Sequence, residues 1–322
     1  MQRDEMIRMM NEAGENKAPF LFVIDFSGEE SIYLPLLHPS DKLYFSTPHF
    51  QHLPHYQADE HSYKFNKRPI PFATYRQAFD KVQKGIRRGD SFLVNLTFPT
   101  RIDTDLSLQE IFLRSNAPYR LLIPNRFVCF SPESFVKIVG NTIYSFPMKG
   151  TIDASLPDAE AQILNDPKEK AEHFTIVDLI RNDLSRIAEQ IEVRRFRYID
   201  RVETNGKTLL QVSSEIVGQL PANFRNRLGD NLFSLLPAGS ISGAPKDSTL
   251  NIIRSAEMDN RGFYTGIFGI FDGTNLDSAV IIRYIEQRED GKYFRSGGGI
   301  TSLSNAESEY QELIDKIYVP FT

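Results

Sequence analysis

One cysteine, Cys129, is all the thiol chemistry available to this chain of 322 residues. Its solitude excludes an internal disulfide and any cysteine-built zinc site. Long apolar runs are missing too, since none approaches the roughly 18 residues needed to cross a bilayer. The opening stretch MQRDEMIRMMNEAGENKAPF mixes both charges and lacks the apolar core of a secretory signal. Basic charge is not in excess: 37 lysines and arginines against 42 aspartates and glutamates leave −5, which gives no field for nucleic acid. Repeats, low-complexity tracts and an evident linker are also absent. These gaps point to a soluble, cytoplasmic protein without a membrane or nucleic-acid partner. A composition that is 41% hydrophobic and 25% charged supplies an ample core, for one large domain or two sharing an interface.

What is present reads as strands in groups, separated by a few long helices. After a first short helix, PFLFVIDF and SIYLPLL are strands, and the stretch from His38 to Phe65 is irregular. That stretch holds His49, His52, His55 and His61, whose spacings match no helical ligand pair, so a metal site is a weak reading there. TYRQAFDKVQKGIRRGD is an amphipathic helix stopped by Gly89, and a short helix is expected over 105–116. The strands SFLVNLTFP, RFVCFS, SFVKIVG and TIYSFPMKG surround the latter. A helical stripe at positions 174, 177, 180, 184, 187 and 191 predicts one long helix in DPKEKAEHFTIVDLIRNDLSRIAEQI. Two more helices are expected in APKDSTLNIIRSAE, with Pro245 in the first turn, and in NAESEYQELIDKIYV. Between them GFYTGIFGIFDG, DSAVIIRYIEQ and GKYFRSGGGI read as antiparallel strands. Strands that cluster, rather than alternating with helices, argue α+β.

Several positions carry chemistry. In FPMKGTI, Pro147 and Gly150 place Lys149 where a strand ends and turns, and turn chemistry alone would account for it. Glu169 and Glu172 stand three apart at the start of one helix, as do Glu309 and Glu312 in another. Residues at i and i+3 share a face, so each pair can aim two carboxylates the same way, and four together would suit Mg²⁺. The structural alternative is a capping box from Asp166 to Glu169 with Pro167 at the first helical position, and a Glu312–Lys316 ion pair. PAGSISGAPK runs from small residues into a helix, a junction suited to anions, and SGGGIT reads as a triple-glycine turn open to a ligand. Arg283 interrupts the apolar run AVIIRYI on an expected central strand, where a buried guanidinium would need an anion such as a ligand carboxylate.

SPESF, FPMKGT, EHFTIVDLIRNDLSRI, GSISGAPK, YTGIFGIF and GGGITSLSNAESEYQELIDK, in this order and spacing, resemble the chorismate-utilizing enzymes over roughly residues 70–322. The resemblance implies large, mostly antiparallel sheets packed as a sandwich with outer helices. It also implies a single chorismate-binding catalytic domain over 1–322, with 1–70 a short strand-rich portion and 70–322 the motif-bearing core. Within the family the aminodeoxychorismate synthases are most similar. They carry Pro-Ile-Lys-Gly-Thr where this chain has Pro147-Met148-Lys149-Gly150-Thr151, whereas anthranilate synthases typically have alanine at the lysine. Anthranilate and isochorismate synthases are the alternatives within the family.

The resemblance makes Lys149 a nucleophile toward C2 of chorismate, with an amine whose pKa should be lowered, and Glu133 of SPESF the general acid at the C4 hydroxyl. It assigns Glu169, Glu172, Glu309 and Glu312 to Mg²⁺. Substrate contacts fall to Ser240, Tyr264, Arg283 and the backbone of Gly297, Gly298 and Gly299. Lys246 falls on a family lysine of undecided role. Gln211 stands where relatives usually have histidine, and would act there by hydrogen bonding, or Glu133 would suffice. Leu93 replaces a usual glutamine. Cys129 lies in a strand, not on a nucleophile elbow, so ammonia would come from solution or from a separate glutamine amidotransferase subunit.

Overall fold

Two antiparallel sheets face one another, with nine strands in each among the described residues. The computed structural model describes residues 1–37, 41–55, 62–204 and 207–321. The first sheet is built from Phe20–Ile24, Ser31–Pro35, Ser134–Val139, Thr142–Ser145, Met148–Asp153, Glu189–Thr204, Lys207–Gln219, Ile267–Phe271 and Leu276–Val280. The second contains Tyr44–Ser46, Gln51–His52, Phe65–Arg68, Leu93–Thr104, Tyr119–Ile123, Phe127–Ser131, Gly243–Ala244, Tyr284–Arg288 and Gly291–Ile300.

Unbroken apolar runs such as FLFVI and FVCFS arise because both faces of their strands are covered. In Phe20–Ile24, Leu21 and Val23 pack with Leu121, Phe127 and Cys129 of the other sheet, while Phe20, Phe22 and Ile24 pack outward under helices. Helices Arg3–Glu15, Pro167–Leu184 and Leu228–Ser234 cover the outer face of the first sheet. Phe72–Arg87, Leu108–Arg114, Lys246–Ala256 and Ala306–Asp315 cover that of the second. The α+β sandwich with outer helices is therefore the observed architecture. Among the described residues no helix is long and apolar enough to cross a membrane.

The chain changes sheets between Ser131 and Ser134, and again between Val280 and Tyr284. The two crossings clasp at one seam: the Val280 N–H donates to the Glu133 carbonyl, and the Phe130 N–H to the Arg283 carbonyl, both at 3.1 Å. Arg283 is thus not on a central strand. It sits on the bend between two strands with φ +52°, half-buried. Its apolar neighbours look like one strand because both sides of the seam are buried.

Two other expectations shift. The helix from Pro167 stops at Leu184, and Ile191 belongs to the next strand. Its buried face is Glu172, His173, Ile176, Val177, Ile180, Asp183 and Leu184, whereas Phe174 is half exposed. The apolar stripe misjudged that face because its first turns bury polar groups that find partners inside. The triple glycine, in turn, lies within the strand Gly291–Ile300, paired to Thr97, Leu96 and Asn95, and is not a turn.

Candidate active site

Lys149 owes its fixed place to a bulge. It pairs with Val212 and Thr151 pairs with Gln211, so Gly150 is the extra residue, with φ +77°. A bulge re-aims the side chains beside it. Glycine is required there for its backbone, and because a Cβ would lie 2.9 Å from Glu169 Oε2. On the other side, the Pro147 carbonyl accepts from the Ser214 N–H at 3.0 Å.

Above this bulge runs the helix Pro167–Leu184. Asp166 caps it by accepting from the Glu169 N–H at 2.8 Å, and Pro167 occupies its first turn. The capping reading holds for these two residues only. The Asp166 N–H bonds to the Gln162 carbonyl, and the Glu169 carboxylate lies against Gly150. One turn on, the buried Glu172 places Oε2 at 3.3 Å from Lys149 Nζ.

Glu309 and Glu312 enter from Ala306–Asp315, capped by Asn305. Glu309 is 1% exposed, with Oε1 at 2.7 Å from Lys168 Nζ and Oε2 lacking any hydrogen-bond partner among the described residues. Glu312 forms the expected pair with Lys316 at 2.6 Å, and Lys316 also donates to the Gly297 carbonyl at 2.9 Å.

The glycine strand passes between these groups. A Cβ on Gly298 would be 3.3 Å from both Glu309 Oε2 and Glu312 Oε1. One on Gly299 would be 3.1 Å from Glu172 Oε2 and 3.4 Å from Lys149 Nζ, and one on Gly297 would strike the Leu96 carbonyl oxygen at 2.2 Å. Leu93 packs against the Gly299 position, its Cδ1 at 3.0 Å from such a Cβ. The four glutamates, Lys149 and the three glycines are therefore one constellation. Lysines interleave its carboxylates, and among the described residues no three acidic, histidine or cysteine side chains form a ready cage.

The seam supplies the rest. Ser240 donates to Glu133 Oε1 at 2.7 Å. Burial pushes the Glu133 carboxyl up, only partly opposed by that hydrogen bond and by Lys149, Arg283 and Lys316, so it keeps its proton to a higher pH than an ordinary glutamate. Arg283 lies over the Tyr318 ring at 5.4 Å and forms no ion pair among the described residues. Its charge acts on both Glu133 and the buried Tyr264, whose phenol burial pushes up.

Lys149 departs from expectation. Burial pulls its ammonium down, but Glu172, Glu133 and Glu169 together outweigh burial, and the pKa is raised. Acidic groups gathered around one amine stabilise its charge. Burial and the charge of Glu172 raise Glu169. Glu312 is lowered because Lys316, Lys168 and Lys149 overcome its burial.

Other candidates are not brought into the constellation. Gln211 shares a strand face with Thr151, one rung from the Val212 that faces Lys149, and alternation turns adjacent residues to opposite faces. His52 stacks on Tyr44 at 5.2 Å, His49 and His55 are exposed, and His61 lies outside the described residues. The loop before Lys246 forms a single helical turn, Gly239–Ser242. Lys246 itself is buried against Asp183 and the Leu235 carbonyl, each at 2.7 Å, which anchors the Ser240 loop to the helix of Glu172.

Two residues of the site escaped the sequence reading. Lys168 was visible only as part of a cap. His173, buried beside Glu172, meets Ser214 Oγ through Nε2 at 2.7 Å, and its Nδ1 has no partner among the described residues. Its signal was adjacency to an acid on the buried face, which the stripe anchored at Phe174 hid.

A family model described as chorismate binding enzyme matches residues 29–321. An uncharacterized PabA-like protein of Haemophilus influenzae is 51% identical over 98% of this chain and 96% of its own length. Aminodeoxychorismate synthase component 1 of Klebsiella aerogenes is 33% identical over 76% of this chain and 56% of its own. The crystal structure of anthranilate synthase component I from Streptococcus pneumoniae superposes with a TM-score of 0.65 at 25% identity, covering 81% of this chain and 60% of that one.

Proposed function

Because this chain belongs to the chorismate-binding enzyme family, we propose that it is a cytoplasmic aminodeoxychorismate synthase subunit, which replaces the C4 hydroxyl of chorismate by ammonia on the way to 4-aminobenzoate and folate. The observation that carries this reading is Lys149, held beside a bulge and paired with Glu172, with the Glu133 carboxyl near enough to act on its charge. An amine so placed suits covalent catalysis. Glu172, 3.3 Å away, takes the ammonium proton. The freed amine attacks C2, the ring double bonds shift, and the C4–O bond breaks as Glu133 gives its proton to the departing water. Ammonia then adds at C4, the double bonds return, and the C2–N bond to Lys149 breaks. Glu133 is suited to the acid role because burial raises its pKa above that of an ordinary glutamate, and Ser240 orients it.

A substrate carboxylate would supply the anion that Arg283 lacks among the described residues. Arg283 and the backbone of Gly297 to Gly299 take the enolpyruvyl carboxylate, with Tyr264 beside it. Gln211 lies on the strand face opposite Val212, and Glu133 is the acid assigned to C4. Glu169, Glu172, Glu309 and Glu312 offer only oxygen donors, and the unpartnered, buried Oε2 of Glu309 is an open ligand position, a set that fits Mg²⁺. When bound, that ion would neutralise the ring carboxylate.

Purified protein with chorismate, ammonium and Mg²⁺ should yield 4-amino-4-deoxychorismate. Anthranilate or isochorismate as product would move the protein to another branch of the family. Lys149→Ala should lose most of the rate yet bind chorismate, and rapid quenching without ammonia should trap a chorismate-derived adduct on wild-type Lys149 by peptide mapping. Turnover near the wild-type rate in Lys149→Ala would sink the nucleophile. Glu172→Ala, Glu312→Ala or excess chelator should stop turnover and leave the fold intact.

A further inference from the structure

We infer that Lys168 is a built-in counter-cation that holds the four-glutamate site closed, and that a divalent ion must displace it. The inference rests on the magnesium reading of that site and adds a residue that sets its affinity. Among the described residues, Lys168 is the cation whose ion pairs reach acids of both helices: 2.7 Å to Glu309 Oε1 and 3.9 Å to Glu172 Oε1. Among the same residues Lys149 forms an ion pair only with Glu172, and Lys316 only with Glu312. Two buried carboxylates brought to one cation from different helices repel unless a positive charge lies between them. Lys168 supplies that charge while Glu309 Oε2 stays unpartnered, so the site is assembled but incompletely satisfied.

The side chain is built to leave. Glu172 and Glu309 are 6% and 1% exposed, whereas Lys168 is 31% exposed, with a flexible stem that can swing its ammonium into water. A divalent ion between the same carboxylates brings twice the charge and would repel the lysine outward. Lys168 therefore acts in two ways. Without metal it stabilises the approach of Glu172 to Glu309, and it weakens cation binding by competing for the same oxygens. A lysine that only braced the helices would do the first and not the second.

The two roles predict opposite signs. Titration of Mg²⁺ into the chelator-treated full-length protein by calorimetry should give about tenfold or tighter binding for Lys168→Met than for wild type, as expected when a competing charge is removed. Lys168→Arg, which keeps the charge, should stay near wild type. Metal-free Lys168→Met should melt at a lower temperature, and saturating Mg²⁺ should close that gap. If Lys168→Met does not fold without metal, Lys168→Gln, whose amide still donates to Glu309, should show the same tightening. Equal or weaker Mg²⁺ binding by the neutral variants, with measurable binding by wild type, would overturn the inference alone. No Mg²⁺ binding by any form would overturn the magnesium reading and the inference with it.

Discussion

At Lys149, Gly150 aims the amine and Glu172 pairs with it, while His173 follows that acid on the buried face of the helix. His173 is buried, and burial, with Arg197 and Lys149 nearby, holds its imidazole to about 4. The ordinary value is 6.5, so between the two the unfolded chain takes up a proton that the folded chain refuses. Stability should therefore be full above pH 6.5 and fall as pH drops toward 4, by about 3 kcal/mol in all. His173→Gln removes this share. In urea unfolding, wild type should lose roughly 2 kcal/mol more than His173→Gln between pH 7 and pH 5. Parallel pH dependences would show that His173 is not held neutral by the fold. Gly150→Ala should reduce activity for a separate reason, since its φ of +77° is costly for alanine and its Cβ would press on Glu169.

The helix Pro167–Leu184 delivers Lys168, Glu169, Glu172 and His173 within two turns, then packs Ile176, Val177, Ile180 and Leu184 on the first sheet. Its first turn is fixed by Asp166 and Pro167, and so are the positions of the first three polar groups. Asp166→Ala should cost about 1 kcal/mol of stability, while Asp166→Asn, a competent cap, should cost little. The urea midpoint checks this, and equal stability of the alanine variant would mean that water replaces the cap. Near the other end, Gly239 lets the Ser240 loop approach: a Cβ there would be 2.8 Å from Leu179 and 3.1 Å from Asp183. This helix therefore also seats the hydroxyl that holds Glu133.

Across the whole molecule, the site lies where two sheets exchange strands. Glu133 and Arg283 sit on the two crossings, Lys149 comes from the first sheet, and the glycines come from the second. A buried ionic knot backs the glycine strand: Glu257 bonds Arg261 at 2.7 Å, Arg295 at 3.1 Å and the Thr97 N–H at 2.9 Å. Nitrogen supply belongs to this scale too. Cys129 is buried between the sheets, donates to the Ile282 carbonyl at 3.2 Å, and has its thiol pushed up by burial. It is not an activated nucleophile. This chain alone should consume chorismate with ammonium but not with glutamine, and an added glutaminase subunit should confer glutamine use. Glutamine-dependent turnover by the isolated chain would overturn that division of labour.

Sequence by itself determined the fold class and the short-range features. Grouped strands gave α+β, Gly89 stopped its helix, Asp166 and Pro167 started theirs, and the i,i+3 spacing set each glutamate pair on one helix face. These are local effects of backbone sterics, capping and periodicity, written within a few residues. Tertiary structure alone decided which groups meet. Glu172 and Glu309 are 137 positions apart in sequence, and only sheet packing places one lysine between them. The same packing raised Lys149 where lowering was expected, because carboxylates from distant elements outweigh its burial. It also paired Lys149 with Val212 rather than with Gln211, and split the apolar run around Arg283 between two sheets. Burial and charge at a site sum over neighbours from the whole fold, and those neighbours are chosen by the packing.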